Sequence, residues 1–306
     1  MDARRARVQT SGMFTDRYHA APDGVRLHYR DYHGRDDPGA PDRPPVLCLH
    51  GLTRNARDFE GVALRLQAAG CRVIVPDIRG RGESGRADPA TYALPTYVKD
   101  MDALFADAGI DRAVHIGTSM GALLTMLTAA ARPGRVVAAV LNDIGPVIER
   151  AGLERIAGYI GGGATLADWD AVAARIALTD GPTFPSYGPA DWATHARRRA
   201  RDGADGWIRF DYDPALAATF SPDGGNAADA LWPLFDALAG VPVLSVRGAM
   251  SDLFTAATQA AMAARHPAMM VAVVPGVGHA PGLEEAEAVV GIGRLLALVP
   301  KALRTG

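Results

Sequence analysis

Residues that could carry out nucleophilic catalysis occur in this 306-residue chain directly after apolar, strand-like runs. Ser119 stands in the segment GTSMG (117–121), which follows the run AVHI and leads at once into the apolar segment MGALLTMLTAA. A strand that ends in G-x-S-x-G and turns straight into a helix holds the serine in a strained conformation and exposes its hydroxyl. The strand-like run before the motif and the helix-like run after it favour such a catalytic turn over an ordinary glycine-bounded turn. The pattern therefore predicts that Ser119 is a nucleophile.

A serine hydroxyl needs a base to take its proton and a third group to orient that base. Among the eight histidines, His279 lies in the glycine-flanked loop VPGVGHAPG, just after the last strand-like run. The others, apart from His50, occur on an N-terminal hairpin, inside a strand, on an arginine-rich helix or at a helix end. We therefore predict that His279 is the base.

Two aspartates are candidates for the orienting acid. Asp252 follows the run VLSVRG by a few residues, and Asp143 ends the run VVAAVLND, which is predicted to lie beside the nucleophile strand. The acid that orients a catalytic histidine can follow either of two neighbouring strands, so the predicted topology allows both Asp252 and Asp143. We favour Asp252, with Asp143 shaping the floor of the pocket or capping the turn that follows it.

An acyl transfer also needs hydrogen-bond donors aimed at the developing oxyanion. We predict the backbone amide of Met120, at the start of its helix, and that of Leu52, in the loop HGLTR (50–54). His50 and Gly51 are expected to shape this loop. Arg54 is expected to face solvent, the alternative being an anionic group on the substrate.

The elements that position these residues can be predicted from hydrophobic patterning. Short apolar runs begin near residues 46, 71, 113, 136, 241 and 269, and amphipathic segments separate most of them. Such runs are typical of buried parallel strands, and their alternation with helices predicts an α/β doubly wound sheet. A hairpin around Pro22-Asp23-Gly24 adds antiparallel strands at the N-terminus. Every candidate catalytic residue falls just past a strand end, on the sheet edge where ligands of such folds bind.

The chain divides into a loose N-terminal arm (1–13), an α/β core (14–144 and 237–306) and an insertion (145–236). The insertion contains helical segments, no strand-like run and all four tryptophans. Its aromatic side chains are expected to form an apolar roof over a modest acyl chain or ring. The candidate roof residues are Trp169, Tyr187, Trp192, Trp207, Phe210 and Tyr212.

Composition argues against several classes of function. Lys and Arg (32) nearly balance Asp and Glu (34), which gives a net charge of −2 and no field favouring nucleic acid or an anionic membrane. The arginine-rich segment HARRRARDG is then best interpreted as a solvated helix.

No apolar run reaches 18 residues, no signal peptide is recognisable, and Cys48 and Cys71 lie in strand-like runs, so we expect buried thiols in a soluble cytoplasmic protein. The histidines lack metal-ligand spacing, and no metal is expected.

The segment GRGESG (80–85) matches the dinucleotide-binding pattern but not its context. Pro89 and Pro95 follow where a helix should open beneath a pyrophosphate, and no strand ending in an acidic residue comes about 20 residues later. We interpret this segment as a loop that packs beside the active site.

Taken together, HGLTR, DIRGRGES, GTSMG, NDIGP, RGAMSD and GVGHAPGLEE resemble the α/β-hydrolase fold superfamily, over about residues 15 to 300. The resemblance implies Ser119, Asp252 and His279 as the triad and the amides of Leu52 and Met120 as the oxyanion hole. It also implies a helical cap and no cofactor. The chain looks most like bacterial esterase, enol-lactonase and C–C hydrolase branches.

Our hypothesis is a serine hydrolase that cleaves a small to medium carboxylic ester or lactone through an acyl-enzyme on Ser119. A C–C hydrolase acting on a vinylogous β-diketone is the alternative within the fold. A non-hydrolytic receptor or a cofactor-independent oxygenase is the alternative of another class. A serine at the elbow argues against dehalogenases and epoxide hydrolases, whose alkyl-enzyme chemistry needs a carboxylate nucleophile. The natural substrate and the oligomeric state stay open.

Overall fold

An eight-stranded mixed sheet organises the described part of the chain. The computed structural model describes residues 13–33, 44–163, 165–221 and 228–299. The sheet has the order β1-β2-β4-β3-β5-β6-β9-β10. The strands, including a separate pair β7 and β8, are β1 (Thr15–Ala20), β2 (Arg26–Tyr32), β3 (Val46–Leu49), β4 (Val73–Asp77), β5 (Ala113–Thr118), β6 (Val136–Asn142), β7 (Ala200–Asp202), β8 (Ile208–Phe210), β9 (Val243–Gly248) and β10 (Met270–Val274).

The predicted α/β doubly wound sheet is confirmed. Strands β1 and β2 form the predicted antiparallel hairpin, and β2 pairs antiparallel with β4. The remaining neighbours in the eight-stranded sheet, in the order β4-β3-β5-β6-β9-β10, all pair in parallel. Each predicted apolar run therefore became one strand of the parallel part, with its boundaries moved by a few residues at most.

Helices cover both faces of this sheet. They are α1 (Glu60–Ala68), α2 (Leu94–Ala108), α3 (Met120–Ala131), α4 (Arg150–Ala157), α5 (Trp169–Asp180), α6 (Pro189–Arg199), α7 (Ala228–Asp236), α8 (Ala256–Arg265) and α9 (Ala286–Leu298). Because side chains alternate along a strand, Val46 and Cys48 pack towards α1 and α9. Leu47 and Leu49 pack towards α2 and α3 on the other face. The result is a three-layer core whose parallel strands end along one edge.

The segment between β6 and β9 carries α4 to α7 and the short antiparallel pair β7 and β8. The expectation that it holds no strand was therefore wrong, because three-residue strands are too short to show a periodic pattern. Part of it has a small apolar core of its own, formed by Val172, Ile176, Ala196, Ala200 and Ile208. Residues 222–227 of this segment, and residues 1–12 of the predicted arm, lie outside the described residues.

Several sequence expectations concern single residues or segments. Cys48 and Cys71 are both buried and form no disulfide bond. No helix in the described ranges has the length and apolar character that a bilayer crossing requires. Gly24 takes a φ of 84° in the N-terminal hairpin turn, a conformation that glycine adopts without strain.

Acid stability is expected to depend on His115, a histidine of β5 with no exposed surface. Burial lowers its pKa from 6.5 to about 3, so the folded protein holds it neutral where the unfolded chain takes up a proton. The free energy of unfolding should therefore fall as the pH drops below about 6.5, by up to about 1.4 kcal/mol per pH unit for this one group. Denaturant titrations of wild type and His115→Leu between pH 7 and 4.5 should give a flatter pH dependence for the variant. Parallel curves would contradict the assignment.

Candidate active site

The turn between β5 and α3 has the strained geometry predicted for a nucleophile elbow. Ser119 has φ of 52° and ψ of −115° and precedes the first residue of α3. A Cβ at Gly121 would lie 2.0 Å from the carbonyl oxygen of Leu49, and one at Gly117 would lie 2.4 Å from that of Gly121. The flanking positions must therefore be glycine for strand and helix to approach this closely.

Ser119, His279 and Asp143 form a continuous hydrogen-bonded chain. Nε2 of His279 lies 2.9 Å from Oγ of Ser119, and Nδ1 lies 2.8 Å from Oδ2 of Asp143. A carboxylate on Nδ1 requires a proton there and leaves Nε2 as an acceptor for the serine hydroxyl. The arrangement can therefore transfer the Ser119 proton to His279.

The Asp143 carboxylate is fully buried and held on both oxygens. Its Oδ1 accepts a hydrogen bond of 2.7 Å from the Gly248 amide, and its Oδ2 accepts one of 2.6 Å from the Ser251 hydroxyl. Asp143 itself has a positive φ of 55°, unusual for a residue other than glycine. These contacts fix the oxygen that faces His279.

The prediction that Asp252 orients His279 was wrong. Its carboxylate instead accepts hydrogen bonds of 2.5 and 2.9 Å from Nε and Nη2 of Arg155. Burial would raise the pKa of Asp252, but the Arg155 guanidinium outweighs it and holds that pKa below the usual range. Strands β6 and β9 are neighbours, so both aspartates follow adjacent strand ends. The turn after β9 brings Ser251, not Asp252, against the acid position.

The amides of Leu52 and Met120 are available as oxyanion donors, because neither has an acceptor among the described residues. His50 fixes the orientation of the Leu52 amide. Its Nδ1 donates to the Gly51 carbonyl at 2.7 Å, and its Nε2 accepts from the Ile78 amide at 3.0 Å. Burial lowers the pKa of His50 to about 4, which keeps this tautomer neutral. In a planar trans peptide, holding the Gly51 carbonyl aims the Leu52 N–H the opposite way.

Arg81 contacts the candidate site, and its position there was not predicted from the sequence. Its buried guanidinium donates to the Leu52 carbonyl at 2.9 Å and contacts Sδ of Met120 at 3.6 Å. It thus touches both residues whose amides are the predicted oxyanion donors. Arg81 belongs to the segment GRGESG, and through these two contacts the segment lies beside the candidate site as predicted. The motif offered a signal for a tight loop but none for the direction of this side chain.

A cleft with a cavity volume of about 90 Å³ lies over Ser119 and His279. We call helices α4, α5 and α6 the roof, because they supply Arg155, Ile156, Asp180, His195, Arg198 and Arg199 to its lining. The core side includes Gly51, Leu52, Arg54, Asp58 and Phe59. Apart from Ile156, these roof residues all carry charged or polar side chains.

A family model for the α/β hydrolase fold matches residues 44–286. The chain belongs to the α/β-hydrolase family. It is 39% identical over 264 residues to a 3-hydroxybutyrate-oligomer hydrolase of Cupriavidus necator, covering 83% of this chain and 88% of that protein. It is 31% identical to a 2-(acetamidomethylene)succinate hydrolase of Mesorhizobium japonicum, covering 77% and 81%. A crystal structure of an α/β hydrolase from Novosphingobium aromaticivorans superposes with a TM-score of 0.86 at 48% identity, covering 93% and 98%.

The apolar aromatic roof predicted for this α/β hydrolase was wrong, since none of the six predicted aromatic residues lines the cleft. Trp169 stacks beneath Arg197 at 3.8 Å, and Trp207 is 46% exposed. Tyr187 and Trp192 pack on each other at 5.2 Å between ring centroids. The remaining two, Phe210 and Tyr212, pack together and line a separate, smaller cavity. Tyr187, Trp192, Phe210 and Tyr212 also pack against the core of the protein. The phenyl and phenol rings that line the cleft belong instead to Phe59 and Tyr159.

The other predicted pocket residues have mixed outcomes. Gly51 and Arg54 line the cleft, whereas His50 is fully buried behind it. The expectation that Arg54 faces solvent was wrong, because Asp58 holds its Nε and Nη2 within the cleft wall. Arg54 precedes Asn55, the extended N-cap residue of a short 3₁₀ helix (Ala56–Phe59) that contains Asp58, so no regular helical spacing signalled this ion pair.

Proposed function

We propose that this α/β hydrolase cleaves short linear esters of hydroxy acids, of the 3-hydroxybutyrate-oligomer type, through an acyl-enzyme on Ser119. The hydrogen-bonded chain from Ser119 through His279 to Asp143 is the observation that carries the proposal. The name of the relative from C. necator supports the ester class. Both relatives are named for substrates that carry carboxylate groups, and the cleft of this chain is lined by four arginines.

In the first half-reaction, Oγ of Ser119 forms a bond to the ester carbonyl carbon while its proton passes to Nε2 of His279. The amides of Leu52 and Met120 stabilise the oxyanion, each such donor contributing about 3 kcal/mol. As the intermediate collapses, His279 returns the proton to the departing alcohol oxygen. Water then repeats these steps on the acyl-enzyme and releases the acid with Ser119 restored.

The proposal is tested with a linear 3-hydroxybutyrate trimer, p-nitrophenyl butyrate and butyrolactone as substrates. Wild type is expected to hydrolyse the trimer, and Ser119→Ala is expected to lose activity on every substrate that wild type cleaves. Ser186→Ala, at an exposed turn residue, is the matched control and should behave as wild type. Mass spectrometry of enzyme quenched during turnover of p-nitrophenyl butyrate should find one butyryl group, absent from Ser119→Ala.

Two results would overturn this function. One is a folded wild type that hydrolyses neither the trimer nor p-nitrophenyl butyrate. The other is full activity of Ser119→Ala, with folding verified by circular dichroism. Hydrolysis of butyrolactone in preference to the trimer would redirect the proposal to lactones.

A further inference from the structure

A compact charged cluster lies in the cleft wall and roof. It consists of Arg54 and Asp58 from the core side and Asp180, His195 and Arg199 from α5 and α6. Arg54 binds Asp58 through Nε and Nη2, and Nη1 of Arg199 donates to Asp180 at 2.6 Å. Two cations thus face the same cleft, each paired with one carboxylate.

These pairs leave hydrogen-bond donors without acceptors. Nη1 of Arg54 has no acceptor among the residues that the structure describes, and Nε of Arg199 is buried without one. An unsatisfied buried donor is costly, so native sites that contain one are often completed by a ligand. We therefore expect these donors to form hydrogen bonds to an acceptor on a bound ligand.

His195 adds a third donor. Its Nδ1 accepts from Nη2 of Arg199 at 3.2 Å, so the ring proton must be on Nε2. Burial, with the charges of Arg199 and Arg54, lowers the pKa of His195 to about 3, so the ring is neutral. Burial and the nearby Arg54 charge also lower the pKa of Arg199, which an added negative charge would reverse. The cleft lining as a whole carries four arginines against the two aspartates Asp58 and Asp180, and this excess of positive charge favours an anion.

The other two arginines of the cleft are less available. Arg155 is held by Asp252, which does not line the cleft, and it also lies 3.8 Å from Asp180. Arg198 is paired with Glu284 at 3.1 Å. The candidate anion subsite is therefore Arg54, Arg199 and His195.

This subsite is close to the reacting atoms. A Cβ placed on Gly51 would lie 3.5 Å from Cγ of Arg54 and 3.8 Å from Cβ of Ser119. The stem of Arg54 and the nucleophile therefore border the same small space, and a short substrate can span from one to the other.

We infer that Arg54, Arg199 and His195 bind the free terminal carboxylate of the substrate on its leaving-group side. The inference rests on the ester hydrolysis proposed above. In a linear hydroxyacyl oligomer, the unit that carries the free carboxylate is attached to the chain through its own hydroxyl, as the alcohol part of the last ester. Seating its carboxylate here places that ester at Ser119. Hydrolysis then releases one hydroxy-acid monomer at a time from the carboxylate end.

The test compares a 3-hydroxybutyrate trimer with its terminal methyl ester, which differs only by the missing negative charge. Wild type should prefer the free acid by about 10- to 100-fold in kcat/KM, the range expected of charge-assisted hydrogen bonds. Early time points on the free acid should contain monomer and dimer. With a chain labelled at its hydroxyl end, the label should remain in the dimer.

The decisive variant is the double substitution Arg54→Gln with Asp58→Asn, which removes both charges of this part-buried pair and leaves neither one uncompensated. Its preference for the free acid should fall to within about threefold of unity. Arg197→Gln, in which the lost arginine stacks on Trp169 and does not line the cleft, is the matched control and should keep the preference.

A measurement on wild type alone guards against a variant that fails to fold. Hydrolysis of p-nitrophenyl butyrate should be inhibited by 3-hydroxybutyrate at least tenfold more strongly than by 3-hydroxybutyramide. Equal rates on the acid and its methyl ester, or equal inhibition by acid and amide, would overturn the subsite and leave the ester hydrolysis standing. A wild type that hydrolyses none of the esters would overturn both.

Discussion

Asp143→Asn is expected to lower kcat by about 10⁴-fold, the loss typical of a triad whose histidine is held in the wrong tautomer. The Gly248 amide donates to Oδ1, so the substituted side chain should keep its carbonyl oxygen there. Its NH2 group then takes the place of Oδ2 and faces Nδ1 of His279. Nδ1 becomes an acceptor and the proton moves to Nε2. The imidazole can then no longer accept the Ser119 proton. Steady-state kinetics on p-nitrophenyl butyrate measure the effect.

Asp252→Asn is the matched control for this prediction, because it makes the same chemical change on the adjacent strand end. It removes charge from the pair with Arg155 and leaves the His279 hydrogen bonds intact. We expect kcat to stay within about threefold of wild type, because Asp252 is paired with Arg155 and makes no hydrogen bond to His279. A severe loss in Asp252→Asn beside a mild one in Asp143→Asn would reverse the assignment.

Gly121→Ala is expected to lower the free energy of unfolding by about 3 kcal/mol, at the upper end for overpacked sites. The new Cβ would lie 2.0 Å from the Leu49 carbonyl oxygen, which is backbone of β3 and cannot rotate away. Helix α3 must therefore shift from β3, and the adjoining elbow shifts with it. Urea titration followed by circular dichroism measures the loss.

Gly293→Ala is the comparison that isolates this packing effect. Gly293 lies in α9, is exposed, and has open space where a Cβ would stand. Alanine there should raise the free energy of unfolding by about 0.5–1 kcal/mol, the usual difference in helix propensity. A Gly121→Ala variant that is as stable as wild type, or stabilised like Gly293→Ala, would contradict the steric clash with the Leu49 carbonyl.

Local patterns account for what the sequence predicted correctly. The parallel strands are continuous apolar runs, and the elbow is a five-residue motif with a steric cause, so both can be read without knowing any distant contact. His279 was identifiable because it follows the last strand in a glycine-flanked loop. The positions of Ser119 and His279 at one sheet edge then follow from topology alone.

The choice between Asp143 and Asp252 could not be made in this way. Both follow adjacent parallel strands, and what separates them is the positive φ of Asp143 and the path of the turn after β9. Neither has a signature in a single sequence. Arg155, which forms an ion pair with Asp252, is about 100 positions earlier in the chain. No local sequence pattern near either residue predicts this pair.

The residues that line the cleft could not be predicted from the sequence for a related reason. Aromatic residues in a small inserted segment are the largest apolar side chains available to stabilise that segment, so Tyr187 and Trp192 pack against each other. The helices α5 and α6 meanwhile present Asp180 and Arg199 to the cleft. Which face of a short helix looks inward depends on its tertiary neighbours, and the sequence pattern of α6, rich in charge all round, does not decide it.

The contacts of Arg81 with both oxyanion residues have an energetic consequence. Leu52 lies in the loop after β3 and Met120 begins α3 after β5, yet one buried guanidinium touches the carbonyl of the first and the sulfur of the second. Groups that share a partner in this way are energetically coupled. Substitutions that disturb the two loops should therefore combine non-additively, with a double change costing less than the two single changes together. The pair of donors would then be gained or lost as one cooperative unit.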